Sequence, residues 1–482
     1  MERINTNLVD CYILEPKRHG DERGYFESIT EEELKSLGFN RIFQVSNSLS
    51  GKGIVRGLHF QKNPYCQAKV VRCQRGAVLD IVVDIRKDSK TYGKWISVEL
   101  TPENGRLLYV PRGFAHGFVS LSDDTLFEYY VDNEYNPRME DGILWNDPDI
   151  GINWEDIFKK YQIEKPVLSD KDKERHTLKE CKCEFYRIPR KYVVTGYKGQ
   201  LGYDIIKELH NRGEYDVLAL DIDRLDITDR EATLKMIKEY HPDVIFHCAA
   251  WTAVDKAEDM EDVVYKVNVE GTRNITDASI SVGAKLFYIS TDYVFDGTKD
   301  GLYTEEDKPN PKSIYGKTKY EGEEEVRRNP NHFITRISWV FGINGNNFIK
   351  TMLKLSKNHD ELNVVDDQIG SPTYTVDLSK TLVEMSYTDK YGIYHINNDG
   401  FCSWAEFAKY IMELNNKKTK INFVSTEKYL EITGTKQAYR PRNSKLSKDK
   451  LCENGFLMLP TWKDATKRYC EELERENLLW KY

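Results

Sequence analysis

Nine cysteines in 482 residues are few and odd in number. They are too sparse for a disulfide-stapled scaffold, and Cys181-x-Cys183 has no second pair to complete a zinc ribbon. Reduced thiols without a shared role are expected. No apolar run approaches the roughly eighteen residues of a membrane span. The opening Met1-Glu2-Arg3-Ile4-Asn5 has no basic segment ahead of a long apolar core, so no secretory signal is expected and a cytoplasmic location is. An excess of positive charge is missing too: 70 Lys and Arg face 78 Asp and Glu, a net charge of −8. That balance argues against a chain held to nucleic acid by bulk electrostatics. Internal repeats and low-complexity tracts are likewise absent.

What is present is the composition of a globular protein, 40% hydrophobic and 31% charged, long enough for about three folding units or two large ones. The chain has two grammars. Residues 1 to about 160 carry short alternating apolar runs broken by glycine and proline: Ala77 to Ile85, Trp95 to Leu100, and Leu107 to Val110. Turn signals recur between them as in an antiparallel sandwich or barrel, and Glu31 to Leu37, closed by Gly38, is the one good helix candidate. An all-β half is expected. From Arg190 the rhythm changes to buried strands separated by helical stretches of crossover length: Lys191 to Thr195, a helix from Gln200 to Asn211, then Val217 to Leu220, Val244 to Cys248, Leu286 to Ser290 and Phe333 to Ile337. That pattern predicts a parallel α/β sheet. The charged stretch Asp170 to Lys182, followed by Pro189, reads as the end of the first domain and a short linker, giving domains 1–187 and 188–482.

A small β-barrel with histidines invites a metal site. Here His59 is followed by Phe60 and Gln61, without the His-x-His pair such a site uses, and His116 stands alone in Pro111-Arg112-Gly113-Phe114-Ala115-His116-Gly117-Phe118. Two isolated histidines are too few for a usual first shell. Acid–base chemistry remains, because a free imidazole titrates near neutral pH. Gly20-Asp21-Glu22-Arg23-Gly24, Arg56-Gly57-Leu58-His59-Phe60-Gln61, the Pro111 to Phe118 stretch, Ile143-Leu144-Trp145-Asn146-Asp147 and Leu168-Ser169-Asp170-Lys171-Asp172 together resemble the dTDP-4-dehydrorhamnose 3,5-epimerase family. The resemblance implies a cupin-like jelly-roll barrel with His59 as general base, Asp172 as its orienting carboxylate and Tyr129 as the acid on the opposite sugar face. It also implies Lys69 as a cation beside the enolate, and Arg23, Gln44, Arg56, His116, Glu140 and Lys171 as contacts to the nucleotide sugar. Ser46 departs from the pattern, standing where a larger amide is expected. Tyr130 adjoins Tyr129, and strand neighbours face opposite ways; registering Glu128-Tyr129 against the family favours Tyr129. Asp170 is likewise the alternative to Asp172.

In the second half, Thr195-Gly196-Tyr197-Lys198-Gly199-Gln200-Leu201-Gly202 sets three glycines between a strand and a helix. Gly196 and Gly199 allow backbone amides to approach a pyrophosphate, and Gly202 lets the helix pack on the sheet. The Gly-x-x-Gly-x-x-Gly spacing is that of short-chain dehydrogenases, and Asp221 at a strand end could accept from a ribose hydroxyl. Tyr315 and Lys319 lie four apart, on one helix face, where the ammonium is expected to lower the tyrosine pKa for proton exchange with a carbonyl. Upstream, Ser290-Thr291-Asp292 offers a hydroxyl to that carbonyl, with Thr291 chosen over Ser290.

His247-Cys248-Ala249-Ala250-Trp251-Thr252-Ala253-Val254-Asp255-Lys256-Ala257-Glu258, Asn268, Arg336-Ile337-Ser338-Trp339 and Arg440-Pro441-Arg442-Asn443-Ser444 then make residues 190 to 482 similar to the dTDP-4-dehydrorhamnose reductase family. This implies a Rossmann fold of the extended short-chain dehydrogenase type. It implies Asp292 and Trp339 at the sugar, and Gly196, Gly199, Gln200, Leu201, Gly202, Asp221, Asp226, Ala249, Ala250, Tyr315 and Lys319 at NADPH or NADH. Some members hold Mg²⁺ between carboxylates at a dimer contact; Asp204 stands where they carry glutamate, so the sequence does not support the metal and leaves it open. A homodimer is expected, with a dTDP-sugar as substrate and neither nucleic acid nor membrane as partner. The two resemblances imply consecutive steps of dTDP-L-rhamnose synthesis. The rivals are the same folds acting on another dTDP-deoxysugar, or a ligand-binding cupin that regulates the reductase.

Overall fold

The computed structural model describes residues 1–39, 41–182, 185, 190–212, 214, 216–476 and 478. The chain divides into two compact units, residues 1–189 with 211–213 and residues 190–210 with 214–482. The expected boundary between 187 and 188, and most of the linker from Lys182 to Pro189, lie outside the described residues.

The first unit is built on strands β1 (Glu2–Asn5), β2 (Tyr12–Glu15), β3 (His19–Asp21), β4 (Gly24–Phe26), β5 (Gln44–Ser50), β6 (Val55–Gln61), β7 (Lys69–Arg75), β8 (Val78–Asp84), β9 (Trp95–Leu100), β10 (Leu107–Val110), β11 (Phe114–Ser120), β12 (Thr125–Val131) and β13 (Glu140–Gly142). They form a six-stranded sheet in the order β1-β2-β10-β7-β12-β5 and a five-stranded sheet in the order β13-β6-β11-β8-β9, with β3 and β4 as a separate hairpin. Every strand pair in the two sheets is antiparallel. Alternate residues of both sheets meet in one core, with Val71 and Phe127 from the first packing with Val82, Phe114 and Phe118 from the second. Period-2 burial is what lets one face of each strand carry this core while the other carries a second layer.

Among the described residues this unit has three short helices. Helix α1 (Glu31–Lys35) begins at a capping box between Thr30 and Glu33 and buries Leu34 against Val70, Leu107 and Tyr109. The sequence reading had no helix after it. Helix α2 (Trp154–Lys160) is nevertheless present, capped by Asn153, and it buries Trp154 among Val55, Ile81, Ala115 and Val119 on the outer face of the five-stranded sheet. Helix α3 (Asp170–Lys173) lies within the stretch read as the domain end. Beyond it Phe185 forms a parallel bridge with Arg86 and packs edge-on against Phe60.

The second unit holds a parallel sheet of β14 (Tyr192–Thr195), β15 (Val217–Leu220), β16 (Val244–His247), β17 (Lys285–Thr291), β18 (His332–Ile337) and β19 (Gly392–His395). Their order is β15-β14-β16-β17-β18-β19. All four residues of β14 are buried, as are all four of β16, which is why they read as continuous apolar runs. The sheet's order reverses at β14, whose successor pairs on one side and β16 on the other. A crevice opens beyond strand C-termini at such a reversal. Helix α4 (Gln200–Asn211) follows β14 and packs Leu201, Ile205 and Leu209 onto the sheet; helix α5 (Ile314–Val326) carries the expected tyrosine and lysine.

Candidate active sites

In the first unit, β6 and β11 place His59 and His116 directly opposite each other. His59 Nε2 lies 2.5 Å from Asp172 Oδ1, the carboxylate being delivered by α3, where Ser169 caps the helix on the Asp172 amide. Burial pushes the Asp172 carboxyl up, but hydrogen bonds from His59, Ser169 and the Gly57 backbone outweigh it and hold the group below the ordinary carboxylate range. Asp170 is exposed and pairs with Lys173 at 2.9 Å. The geometry thus joins His59 to Asp172 and leaves Asp170 apart.

His116 is buried and bonded through Nε2 to Asp80 Oδ1 at 2.7 Å. Its ring stands edge-on to Tyr129, with centroids 6.2 Å apart. Tyr129 points into the core between the sheets, where its hydroxyl lies 3.1 Å from Ser48 Oγ and burial raises its pKa. Tyr130 points the other way, donating to Glu128 Oε2 at 2.5 Å. Alternation along β12 therefore separates the two tyrosines. Lys69 is half-buried, and desolvation pulls its ammonium down against the fields of Asp80, Cys66 and Glu140. Glu140 accepts from Lys171 at 2.5 Å and Arg175 at 3.0 Å. Arg56 reaches Ser50 Oγ at 3.3 Å and adds to the field on Tyr129.

Two expected members are not drawn in. Arg23 pairs with Asp21 at 2.6 Å on the exposed β3–β4 hairpin, and the Gln44 amide donates to Ser46 Oγ at 2.8 Å. Sequence reasoning passed over Asp80 and Arg175. Asp80 had a visible signal, an acidic residue inside the apolar run Ala77 to Ile85 where only a partnered carboxylate is tolerated.

In the second unit a cavity of about 620 Å³ opens at the C-terminal ends of β14, β16 and β17. Every residue expected at the dinucleotide and sugar lines it, including Gly196, Asp221, Asp226, Ala249, Thr291 and Trp339. Gly196 has φ +66°, and a Cβ there would come within 2.8 Å of the Ala249 amide nitrogen. That close approach leaves the turn's backbone bare, as a pyrophosphate requires. Gly202 is constrained differently from the expectation: its Cβ would meet the Gly196 carbonyl oxygen at 2.5 Å, so it serves the turn itself rather than the sheet. The Gln200 side chain turns away, accepting from the Gly342 amide at 2.9 Å. Asp221 accepts from the amides of Ile222 and Lys198 at 2.8 and 3.2 Å.

Helix α5 starts at Ser313, whose hydroxyl accepts from the Gly316 amide at 3.1 Å, and presents Tyr315 and Lys319 to the cavity. Burial pulls the Lys319 ammonium down to about 7, and it sits 4.0 Å above the Tyr288 ring. Tyr315 is held above the ordinary phenol value, the reverse of the shift expected from a neighbouring ammonium: desolvation dominates, and the hydrogen bond with Thr291 lowers it only in part. Thr291 donates to Asp292 Oδ1 at 3.0 Å, and Ser444 donates to Asp292 Oδ2 at 2.5 Å. Burial raises the Asp292 carboxyl to about 6. Ser290, the rejected alternative, is committed elsewhere, donating to Glu323 Oε1 at 2.5 Å. Trp339, at φ +51°, lies flat on Trp404 with centroids 3.7 Å apart.

Residues missed here include Tyr293, which lines the cavity, and Arg440, which donates to its hydroxyl at 3.0 Å and pairs with Asp255 at 2.8 Å. Arg440 and Asp255 stood in noticed motifs and Tyr293 adjoins one, but nothing in sequence spacing joins Arg440 to a partner 185 residues away. A metal is not fitted. Asp204 accepts from Thr375 Oγ1 at 2.5 Å with its other oxygen unpartnered, and burial raises its carboxyl to about 6. Its neighbour Glu472 accepts from Tyr374 at 2.6 Å. Two carboxylates already serving hydroxyl donors do not make the octahedral oxygen shell of Mg²⁺. Among the described residues no group of three or more His, Cys, Asp or Glu could hold a metal ion, and no helix is long and apolar enough to cross a membrane.

Comparison with known proteins supplies names for both halves. The family model described as dTDP-4-dehydrorhamnose 3,5-epimerase matches residues 5–180, and the one described as RmlD substrate binding domain matches residues 190–475. A dTDP-4-dehydrorhamnose 3,5-epimerase of Shigella flexneri is 46% identical over 175 residues, covering 36% of this chain and 93% of its own. A dTDP-4-dehydrorhamnose reductase of Aggregatibacter actinomycetemcomitans is 40% identical over 289 residues, covering 57% and 96%. The crystal structure of the Bacillus anthracis dTDP-4-dehydrorhamnose reductase in complex with NADP is 44% identical, with a TM-score of 0.57 over 59% of this chain and 100% of that one. The chain therefore belongs to two families in succession, the dTDP-4-dehydrorhamnose 3,5-epimerases through its first unit and the dTDP-4-dehydrorhamnose reductases through its second.

Proposed function

We propose that the chain is a bifunctional enzyme of dTDP-L-rhamnose synthesis. It epimerises dTDP-4-dehydro-6-deoxy-D-glucose at C3 and C5, then reduces the C4 ketone of dTDP-4-dehydro-L-rhamnose with NADPH or NADH. The observation that carries this reading is double: His59 is paired with Asp172 in one unit, and Thr291, Tyr315 and Lys319 converge on one cavity in the other.

The C4 ketone acidifies the hydrogens on C3 and C5. His59 removes them, and Asp172 holds the imidazole in place and stabilises the charge it gains. The enolate that results is stabilised by Lys69, a half-buried cation. Tyr129, kept protonated by burial, returns a proton from the opposite face. Arg56, His116, Glu140 and Lys171 hold the nucleotide sugar, with Arg23 and Gln44 at its margin. In the reductase half the bound dinucleotide supplies a hydride to C4. Tyr315 gives its proton to the ketone oxygen, and its raised pKa keeps the phenol protonated until then. Thr291 hydrogen-bonds that oxygen, Lys319 holds positive charge below the tyrosine, and Asp292 and Trp339 bind the sugar. Gly196, Gly199 and Gly202 shape the turn for the pyrophosphate, Asp221 and Asp226 face the adenosine end, and Ala249 and Ala250 border the dinucleotide.

The same reading assigns the first unit to the cupin-like jelly rolls, supported by its two facing antiparallel sheets, and the second to the extended short-chain dehydrogenases, supported by the Tyr315–Lys319 helix face. It takes the domains as 1–187 and 188–482, the state as a homodimer and the location as the cytoplasm. Incubating the purified protein with the dTDP-4-keto sugar and each reduced dinucleotide, then identifying the sugar by NMR, tests it; a product other than dTDP-L-rhamnose, or none, overturns it.

A further inference from the structure

Glu323 is fully buried and receives three short hydrogen bonds, from Ser290 Oγ at 2.5 Å, Arg336 Nε at 2.9 Å and the second terminal nitrogen of Arg336 at 2.7 Å. Arg336 is itself buried, with its remaining nitrogen unpartnered. Burying such a pair costs desolvation that its attraction barely offsets, and hydrophobic residues of similar volume would hold β17, β18 and α5 together as well. Its place relative to the reductase groups gives it another use. Ser290 precedes Thr291 at the end of β17, so the carboxylate fixes the residue next to the hydroxyl offered to the ketone. On α5, Glu323 is one turn beyond Lys319, which is one turn beyond Tyr315.

Lys319 needs such a neighbour. Among the described residues its ammonium has no carboxylate within ion-pair distance and rests on the Tyr288 ring. The titratable groups around it are His247 and Cys248 from the end of β16, Tyr288 from β17 and Tyr315 from its own helix. His247 is held neutral, pulled down to about 3 by burial, and Cys248 is pushed up to about 12. The tyrosines are raised as well. Glu323 is the anion whose field opposes the desolvation of Lys319, with Arg336 on its far side as counter-charge.

We propose that Glu323 is a positioning residue of the reductase half, acting through Ser290 on Thr291 and through space on the charge of Lys319. The inference rests on the reductase reading above. With the anion gone, Lys319 loses its proton at lower pH, and reduction fails as pH rises through that value.

The test measures reduction of dTDP-4-dehydro-L-rhamnose by NADPH against pH in the full-length chain, with separate epimerase added in excess so that its supply is never limiting. Glu323→Gln is expected to move the alkaline limb of kcat/KM down by about one unit or more, because a charge at this distance in a buried setting is worth that much. Glu323→Asp keeps the charge and is expected to restore the limb even at reduced rate. Ser290→Ala is expected to lower kcat several-fold with little change in NADPH affinity. Should Glu323→Gln not fold, the double variant Glu323→Gln/Arg336→Gln removes the guanidinium that would be left without its carboxylate and is expected to shift the limb in the same direction. A wild-type pH profile in a folded variant lacking the Glu323 charge, or an unaltered kcat in Ser290→Ala, overturns the proposal. Tyr315→Phe in the same assay separates the two claims: if it reduces the sugar normally, the reductase reading itself is wrong; if it is inactive while Glu323→Gln keeps the wild-type profile, only the role of Glu323 fails.

Discussion

His59 Nε2 and Asp172 Oδ1 lie 2.5 Å apart although 113 residues separate them in the chain. A strand delivers the imidazole and a single-turn helix the carboxylate. The contact occupies one ring nitrogen of His59; in the function proposed above, the other is the one that meets the substrate.

Replacing either member is expected to stop proton removal. His59→Ala should abolish solvent deuterium incorporation at C3 and C5, and Asp172→Asn should slow it by about 10²-fold or more, with NADPH binding unchanged in both. Deuterium wash-in followed by NMR reads the outcome. Because the folded pKa of Asp172 is lowered, its ionised form stabilises the fold at and above the ordinary carboxylate range, and that contribution is lost as pH falls through the lowered value. Asp172→Asn should therefore flatten part of the acid limb of stability.

Tyr129 and Tyr130 face opposite sides of one sheet. Tyr129→Phe is expected to leave deuterium exchange running while inversion stops, since His59 still removes the proton but nothing returns it from the other face. Tyr130→Phe should invert normally. The stereochemistry of the exchanged sugar decides between them.

Tyr315→Phe should keep dinucleotide affinity and lose turnover by about 10²-fold or more, because only the proton donor is gone. Lys319→Ala should weaken both. Fluorescence titration with NADPH alongside steady-state kinetics separates affinity from rate.

Asp292 is fully buried with its carboxyl raised to about 6. A raised folded value means that the protonated acid stabilises the fold below the unfolded pKa, near 4, and that this stability is lost as pH rises through about 6. Asp292→Asn should remove a pH dependence worth about 3 kcal/mol between those limits. Urea midpoints of variant and parent at pH 4, 5, 6 and 7 measure the difference.

Legibility in the sequence followed burial. β14 and β16 are buried along their whole length and read as strands from their apolar runs, and β9 and β10 were placed to the residue. Helices α2 and α3 were not foreseen: α2 has seven residues and α3 only Asp-Lys-Asp-Lys, too short for an apolar period to show. Motif order singled out His59, Asp172, Thr291 and Tyr315, each a side chain with its own chemistry, and the fold pairs the first two and sets the last two on one cavity. It did not show that Ser290 is spoken for by Glu323, or that burial rather than Lys319 governs Tyr315, because both depend on what the fold removes from water. Arg23 and Gln44 matched by position, yet each is satisfied by a residue two places away.

The face-to-face stack of Trp339 on Trp404 also makes the end of the cavity proposed for the sugar optically visible. Two indoles at that separation behave as a coupled chromophore, so a sugar that displaces or tilts Trp339 alters the near-ultraviolet dichroism and quenching of the pair. Occupancy at this end can thus be followed without label and apart from nicotinamide absorbance, in an enzyme whose two turnovers would otherwise have to be disentangled from a single progress curve.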